Sequence, residues 1–311
     1  MKKLLVRIIF VGLAFLSFTG CLKEEKQMYI AAILKNGDVE YWQQIESAIA
    51  NQALSMGFGY ILSTVEDDGD IEGQTDALES IRQDFGDQIA GLIIAPIYTE
   101  DNHRFEEAVA DFVTEKNINL VIIDSPVDKE KSPVKDLAIC YVGTDNAKAG
   151  ELLASNIETP ASEILAASLS SSSPAWIRSD AFHKAKGETA EWITTEDKVE
   201  AQIDSVIAAN PASNDYVFFN GSMCVQVLDK LDGKNVYSFD AYKPMLESLL
   251  NDGSVKGVLA QDTFSMGATA ALAVITGSRS DEIFIKPVYI SRETIKNGNG
   301  ANFFNYYGLT N

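Results

Sequence analysis

Short apolar runs alternate with longer amphipathic stretches along most of the 311 residues. "MYIAAIL" has the composition of a buried strand, and "YWQQIESAIANQALSMG" carries helical spacing through Trp42, Ile45, Ile49 and Ala53 until Gly57 ends it. "YILSTV" predicts a second strand, a helix follows through Thr75, Leu78 and Ile81, and "IAGLIIAP" predicts the next strand. "RFEEAVADFVTEKN" then reads as a helix and "NLVIID" as a fourth strand. Strands that are apolar on both faces and separated by helices predict a parallel sheet covered on both sides.

The rhythm restarts after "CYVGTDN". A helix is expected from Ala147 to Ile157, followed by "EILAASL", a helix around Ala181, a polar stretch, and the strands "YVFFN", "NVYSFD" and "VKGVLAQD". This is a second lobe of the same class. Residues 183–200 hold few apolar positions and no clear period. The expected fold is α/β, two Rossmann-like lobes with parallel sheets.

Polar residues recur at the carboxyl ends of these strands. Asp124 follows "LVII", Asn220 follows "YVFF", Asp240 follows "VYSF" and Gln261 follows "VKGVLA". In open parallel sheets ligands lie in the crevice outside those strand ends. Carboxylates and amides there accept and donate hydrogen bonds in pairs, as the hydroxyls of a sugar require. Tyr41 and Trp42, just after the first strand, offer aromatic faces for the apolar side of a sugar ring. Any one of these residues alone is equally a helix cap or turn former, and Trp42 by helical spacing alone belongs to the core. Four polar groups in one topological place favour a ligand site.

Other chemistries lack their parts. The two histidines, His103 and His183, lie far apart in helix-like settings, which disfavours a histidine triad or a histidine-rich metal site. No phosphate-binding glycine loop and no G-x-S-x-G elbow occur, and "EDDGD" lacks the ordered ligands and closing glutamate of a calcium loop. No cofactor is expected. The net charge of −20 opposes nucleic-acid binding, because phosphates need lysine and arginine opposite them. Cys140 and Cys224 each sit in an apolar run and read as small buried hydrophobes.

Residues 1–20 have the organisation of a targeting segment. Lys2, Lys3 and Arg7 precede the apolar core "IIFVGLAFLSF", and "FTGC" ends it. A small residue before a cysteine at that place resembles the lipobox of a bacterial lipoprotein, which implies cleavage before Cys21 and acylation of that residue. Residues 21–27 would then be a polar tether, and the protein would sit in the cell envelope. Leu22 after the cysteine favours the outer membrane, on its periplasmic side or at the cell surface; "KEE" resembles a surface-export signal and reads equally as a solvated spacer.

The chain from residue 28 to 292 resembles the periplasmic sugar-binding proteins of the ribose-binding type, which share a fold with the ligand domain of LacI-type repressors. The stretches that carry the likeness are "YVGTDNAKAGELLASNI", "FFNGSMCVQVLDKL", "VYSFDAYKPMLESLLNDG" and "GVLAQDTFSMGATAAL". The resemblance implies an N-terminal lobe of 28–144 plus 262–283 and a C-terminal lobe of 145–261 plus 284–311. Three crossings near Thr144, Gln261 and Ile283 would join them around a ligand cleft. It further implies that Tyr41 and Trp42 stack on the sugar, that Asp124 takes two ring hydroxyls, and that Arg178, Asn220, Asp240 and Gln261 bind from the second lobe, with Phe239 flanking Asp240. Ser125 stands where the family often has arginine, Ala95 where asparagine is common, and "KNGNGANFFNYYGLTN" runs past the family's usual end. The expectation is a monomeric binding protein, not an enzyme, that captures a monosaccharide or polyol for an ABC-type permease. The alternative is a module presenting its ligand-bound form to a membrane sensor kinase or chemoreceptor.

Overall fold

The computed structural model describes residues 26–66, 69–97, 102–157, 163–166, 174–187, 193–194, 199–209, 211 and 213–309. The expected signal segment, Cys21 and the tether as far as residue 25 lie outside the described residues, as does most of the illegible stretch after residue 187.

The chain begins β1 (Tyr29–Asn36), α1 (Glu40–Ser55), β2 (Gly59–Val65), α2 (Ile71–Phe85), β3 (Ile89–Ile94), α3 (Arg104–Lys116), β4 (Asn119–Ile123) and β5 (Ala138–Gly143). It continues with α4 (Asn146–Ser155), β6 (Glu163–Ala166), α5 (Pro174–Lys186), β7 (Ile193–Thr194), α6 (Val199–Ala209), β8 (Asp215–Phe218), α7 (Gly221–Val227) and β9 (Asn235–Phe239). The remaining elements are α8 (Lys243–Leu250), β10 (Val255–Ala260), α9 (Thr263–Thr276), β11 (Glu282–Phe284), β12 (Val288–Ser291), α10 (Arg292–Ile295) and α11 (Ala301–Tyr306). Two units result: residues through Gly143 with Thr263–Phe284, and Thr144–Asp262 with Ile285 onward.

The first unit holds a six-stranded sheet in the order β11-β5-β4-β3-β1-β2, parallel throughout. Its strands are apolar on both faces because helices cover both. Leu92, Ile94, Leu120 and Ile122 pack with Leu78 and Ile81 of α2 and Val109 and Phe112 of α3. α1 and α9 pair closely: a Cβ on Gly267 of α9 would come 2.6 Å from the Ile45 carbonyl oxygen, and Thr263 donates to buried Gln44 at 2.7 Å. Loss of a buried ring such as Phe112 to alanine costs about 3–5 kcal/mol. Helix starts are fixed locally: Asp70 caps α2 by accepting from the Gly73 amide at 2.8 Å, and Asn117 ends α3 in the left-handed region.

The second unit repeats the plan. Its sheet order is β12-β10-β9-β8-β6-β7, so each strand has a counterpart at the same place in the first sheet. Phe182 of α5 packs with Phe219, Phe239 and Leu259. One strand departs from the expected parallel sheets: β12 runs antiparallel to β10. It follows β11, the edge strand of the first sheet, after three residues, and takes the edge of the second. The extension past the usual end follows α10 and forms α11, burying Phe303 and Phe304, and Asn299 donates to the Tyr289 carbonyl at 3.1 Å.

Candidate functional site

In the first unit the site grows from the end of β4. Asp124 sits at φ +62°, in the left-handed region, and its N–H donates to the Val142 carbonyl on β5 at 2.9 Å. Its own carbonyl accepts from the Tyr141 hydroxyl at 2.7 Å. The carboxylate accepts from the Tyr41 hydroxyl at 2.6 Å through Oδ1 and from Ser125 Oγ at 3.0 Å through Oδ2. Ser125 Oγ in turn accepts from Lys35 Nζ at 2.5 Å. The same ammonium lies 5.7 Å from the centre of the Trp42 ring, within cation–π range. Tyr41 and Trp42 stand edge to face, centroids 5.1 Å apart, on the first turn of α1.

The expected residues Tyr41, Trp42 and Asp124 therefore come together, and Tyr41 and Trp42 are 7% and 5% exposed. Lys35, Ser125 and Tyr141 join them and were not among the expected binders. Ser125 occupies the family's arginine position, and a cation still reaches it, from Lys35. The rule that selected Asp124 by its place at a strand end selects Lys35 when applied to β1, because "AAIL" is followed there by lysine.

The second unit builds a similar corner at the end of β9. Asp240 sits at φ +63°, and its N–H donates to the Leu259 carbonyl on β10 at 3.1 Å. Its Oδ1 accepts from Gln261 Nε2 at 2.8 Å and its Oδ2 from the Gly221 amide at 3.2 Å. Gly221 is needed for that approach, since a Cβ there would stand 2.7 Å from the Phe239 carbonyl oxygen. Asn220 caps α7, accepting from the Ser222 amide at 2.9 Å.

Arg178 is held at three points: Nε donates to Asn146 Oδ1 at 2.7 Å, Nη1 donates to the Phe219 carbonyl at 3.2 Å, and Cζ lies 4.7 Å from the centre of the Phe239 ring. The guanidinium is 5% exposed and the ring beneath it fully buried, so Phe239 offers no surface and acts by holding Arg178. Among the described residues neither Arg178 nor Lys35 forms an ion pair with a carboxylate. A cation, buried as in Arg178 or half-buried as in Lys35, that meets only neutral acceptors and a ring face keeps capacity for further acceptors.

Both acids thus follow the third strand in their sheet order, in the same backbone conformation, each anchored by its amide to the neighbouring strand. Left-handed backbone at non-glycine residues is disfavoured and concentrates at functional positions.

Solved structures of this fold are numerous. An ABC transporter periplasmic solute binding protein from Actinobacillus succinogenes, with bound D-allose, matches at a TM-score of 0.73 and 19% identity over 87% of this chain and 100% of that one. A solute binding protein from Burkholderia graminis in complex with D-arabinose gives 0.70 and 19% over 88% and 98%. A glucose-galactose binding protein from Geobacillus stearothermophilus gives 0.67 and 18% over 86% and 99%. Comparison with curated protein sequences gives no match. The periplasmic binding protein domain matches residues 30–276. With that match, a two-unit α/β architecture and a polar corner at the strand ends of each unit, the chain belongs to the periplasmic binding protein family, a family of solute-binding proteins and not of enzymes.

Proposed function

We propose that the protein captures a monosaccharide or polyol, with Asp124, Tyr41, Trp42 and Lys35 contributed by one unit and Asp240, Gln261, Asn220 and Arg178 by the other. The observation that carries this reading is the repeated aspartate at φ +62° and φ +63°, each with its carboxylate already oriented by protein donors. Fixed carboxylates together with cations that have no acid partner among the described residues match the paired acceptors and donors of vicinal hydroxyls. The acids would accept from ligand hydroxyls through their remaining lone pairs, Arg178 would donate to them, and the Tyr41 and Trp42 rings would meet the apolar face. Ligand would stabilise a closed form that partners distinguish from the open one. Proteins of this fold have been seen with D-allose, D-arabinose, α-D-tagatopyranose, glycerol and myo-inositol, which define the range to test.

Family membership implies an extracytoplasmic location. The finer reading is a monomer anchored through lipid on Cys21 to the outer membrane, on its periplasmic side or at the cell surface, serving an ABC-type permease. The sensor alternative differs in one readout, since deletion would then abolish a sugar response while leaving uptake intact.

A thermal-shift series with D-allose, D-arabinose, D-tagatose, myo-inositol and glycerol tests the central claim, because a ligand binding only the folded protein raises its melting temperature. One or more is expected to do so, with loss of the shift in Asp124→Ala and Asp240→Ala. A wild type stabilised by none of them, or both variants responding like wild type, overturns the reading.

A further inference from the structure

Two adjacent residues of β5 hold the peptide groups on either side of Asp124. The Val142 carbonyl accepts the Asp124 N–H at 2.9 Å, and the Tyr141 hydroxyl donates to the Asp124 carbonyl at 2.7 Å. The pairing of β4 with β5 brings them there, with Ile122 opposite Tyr141 and Ile123 opposite Val142. Gly143 leaves room for the phenol, since a Cβ at that position would fall on the Tyr141 hydroxyl. The ring is less confined than the hydroxyl. It meets Phe284 edge-on at 6.3 Å and lines, with Ile122 and Ile139, a cavity of about 570 Å³. Its hydrogen bond to Asp124 therefore has a large part in setting where the phenol lies.

We infer that Tyr141 is a positioning residue for ligand binding, acting through the backbone of Asp124. The inference rests on Asp124 being a ligand contact, as proposed above. Asp124 occupies a conformation disfavoured for a residue with a side chain, and the two β5 bonds are what hold it there. With its carbonyl released, Asp124 would leave φ +62° part of the time, and its carboxylate would leave Tyr41 and Ser125 with it. Tyr141 need not touch the ligand for its hydroxyl to matter.

The test uses the full chain and two variants that reach the same bond by different routes. Tyr141→Phe keeps the ring and deletes the hydroxyl, and Gly143→Ala keeps the hydroxyl and displaces it. Hydrogen–deuterium exchange read by mass spectrometry over residues 121–126 is expected to rise about fivefold in both without ligand, the scale of one neutral hydrogen bond. Residues 238–242, where Asp240 has the same backbone conformation, serve as control and are expected to stay unchanged. Affinity for the panel sugar that most stabilises wild type is expected to fall by a similar factor.

Faster exchange with unchanged affinity overturns the inference, as does weaker affinity with unchanged exchange, which would make Tyr141 a direct contact. Unchanged values of both overturn it too. Asp124→Ala measured alongside separates the two claims. If that variant binds like wild type, or if no panel sugar stabilises wild type, the reading of the site fails. If it loses binding while Tyr141→Phe and Gly143→Ala bind normally, only the positioning role fails.

Discussion

Replacing Asp124 by alanine and, separately, by glycine divides what its side chain does from what its backbone requires. In the native protein the carboxylate accepts from Tyr41 at 2.6 Å and Ser125 at 3.0 Å, and the backbone sits at φ +62°. Both variants remove the acceptors. The Tyr41 hydroxyl, in a ring 7% exposed, then loses its 2.6 Å acceptor, and removing the partner of a buried donor costs about 1–3 kcal/mol. Alanine keeps the Cβ in the left-handed region but lacks the local hydrogen bonding that lets aspartate tolerate it, a further penalty of about 1–2 kcal/mol. Glycine has no such penalty and gives back only about 0.4–1 kcal/mol through the freer unfolded chain. Asp124→Ala should therefore be destabilised by about 2–5 kcal/mol, and Asp124→Gly should be the more stable variant by about 1 kcal/mol. Binding should be lost alike in the two. Two hydrogen bonds to a charged acceptor at about 1.5–3 kcal/mol each correspond to a hundredfold or more in affinity. Urea unfolding followed by circular dichroism measures the first quantity and titration calorimetry the second. An alanine variant as stable as the glycine one refutes the backbone argument. Wild-type affinity in either refutes the role of the carboxylate.

Trp42 lies under the Lys35 ammonium, so ligand binding is expected to change indole fluorescence; the change should disappear in Trp42→Phe and diminish in Lys35→Met, and a signal surviving in Trp42→Phe places the reporter elsewhere. Burial pushes the Cys224 thiol from an ordinary 9.0 up to about 12, so the folded protein keeps it protonated while the unfolded chain ionises first. That contribution to stability is fully present below about pH 9 and is lost as pH rises toward 12. Cys224→Ala should flatten the fall in urea midpoint between pH 9 and pH 10, below the region where Tyr289, also raised to about 12, takes part; an unchanged slope in the variant counts against it. Cys21→Ser should move the protein from the membrane to the soluble fraction of the envelope, and a variant found wholly in the membrane pellet argues against lipidation.

Much of the fold is written in the strands, because a strand covered on both faces is apolar at every position. β1, β3, β4 and β10 announce themselves in that way. β5 is harder, since fourteen residues without a helix separate it from β4 and interrupt the strand–helix rhythm. α6 begins within the polar stretch, and only Val199, Ile203 and Val206 mark its buried face. α9 is apolar nearly all round, so its period is faint even though it is central to the first unit. β12 carries no signal in its composition of the antiparallel direction in which it pairs with β10. At the site, residue type and strand-end position single out the acids and amides. They do not reveal the left-handed backbone of Asp124 and Asp240, which is a dihedral fact, nor the stacking of Arg178 on Phe239, a pair 61 positions apart in sequence. Phe239, the residue before Asp240, lies beneath Arg178, a packing that residue type and position alone do not announce.

The route of the chain has a consequence for its biogenesis. α9 and β11 belong to the first unit although residues 144–262 of the second come before them, and Gly267 of α9 lies against the backbone of α1. A ribosome that has made residues 1–143 has therefore made a unit without one of its covering helices and without an edge strand. The apolar faces that α9 buries stay open until synthesis has passed residue 276, and long-range closures of this kind are slow. For a polypeptide that must be threaded across a membrane before it folds, late closure is useful. A first half left open in this way would stay pliable during such threading, its final form waiting for the last fifth of the chain.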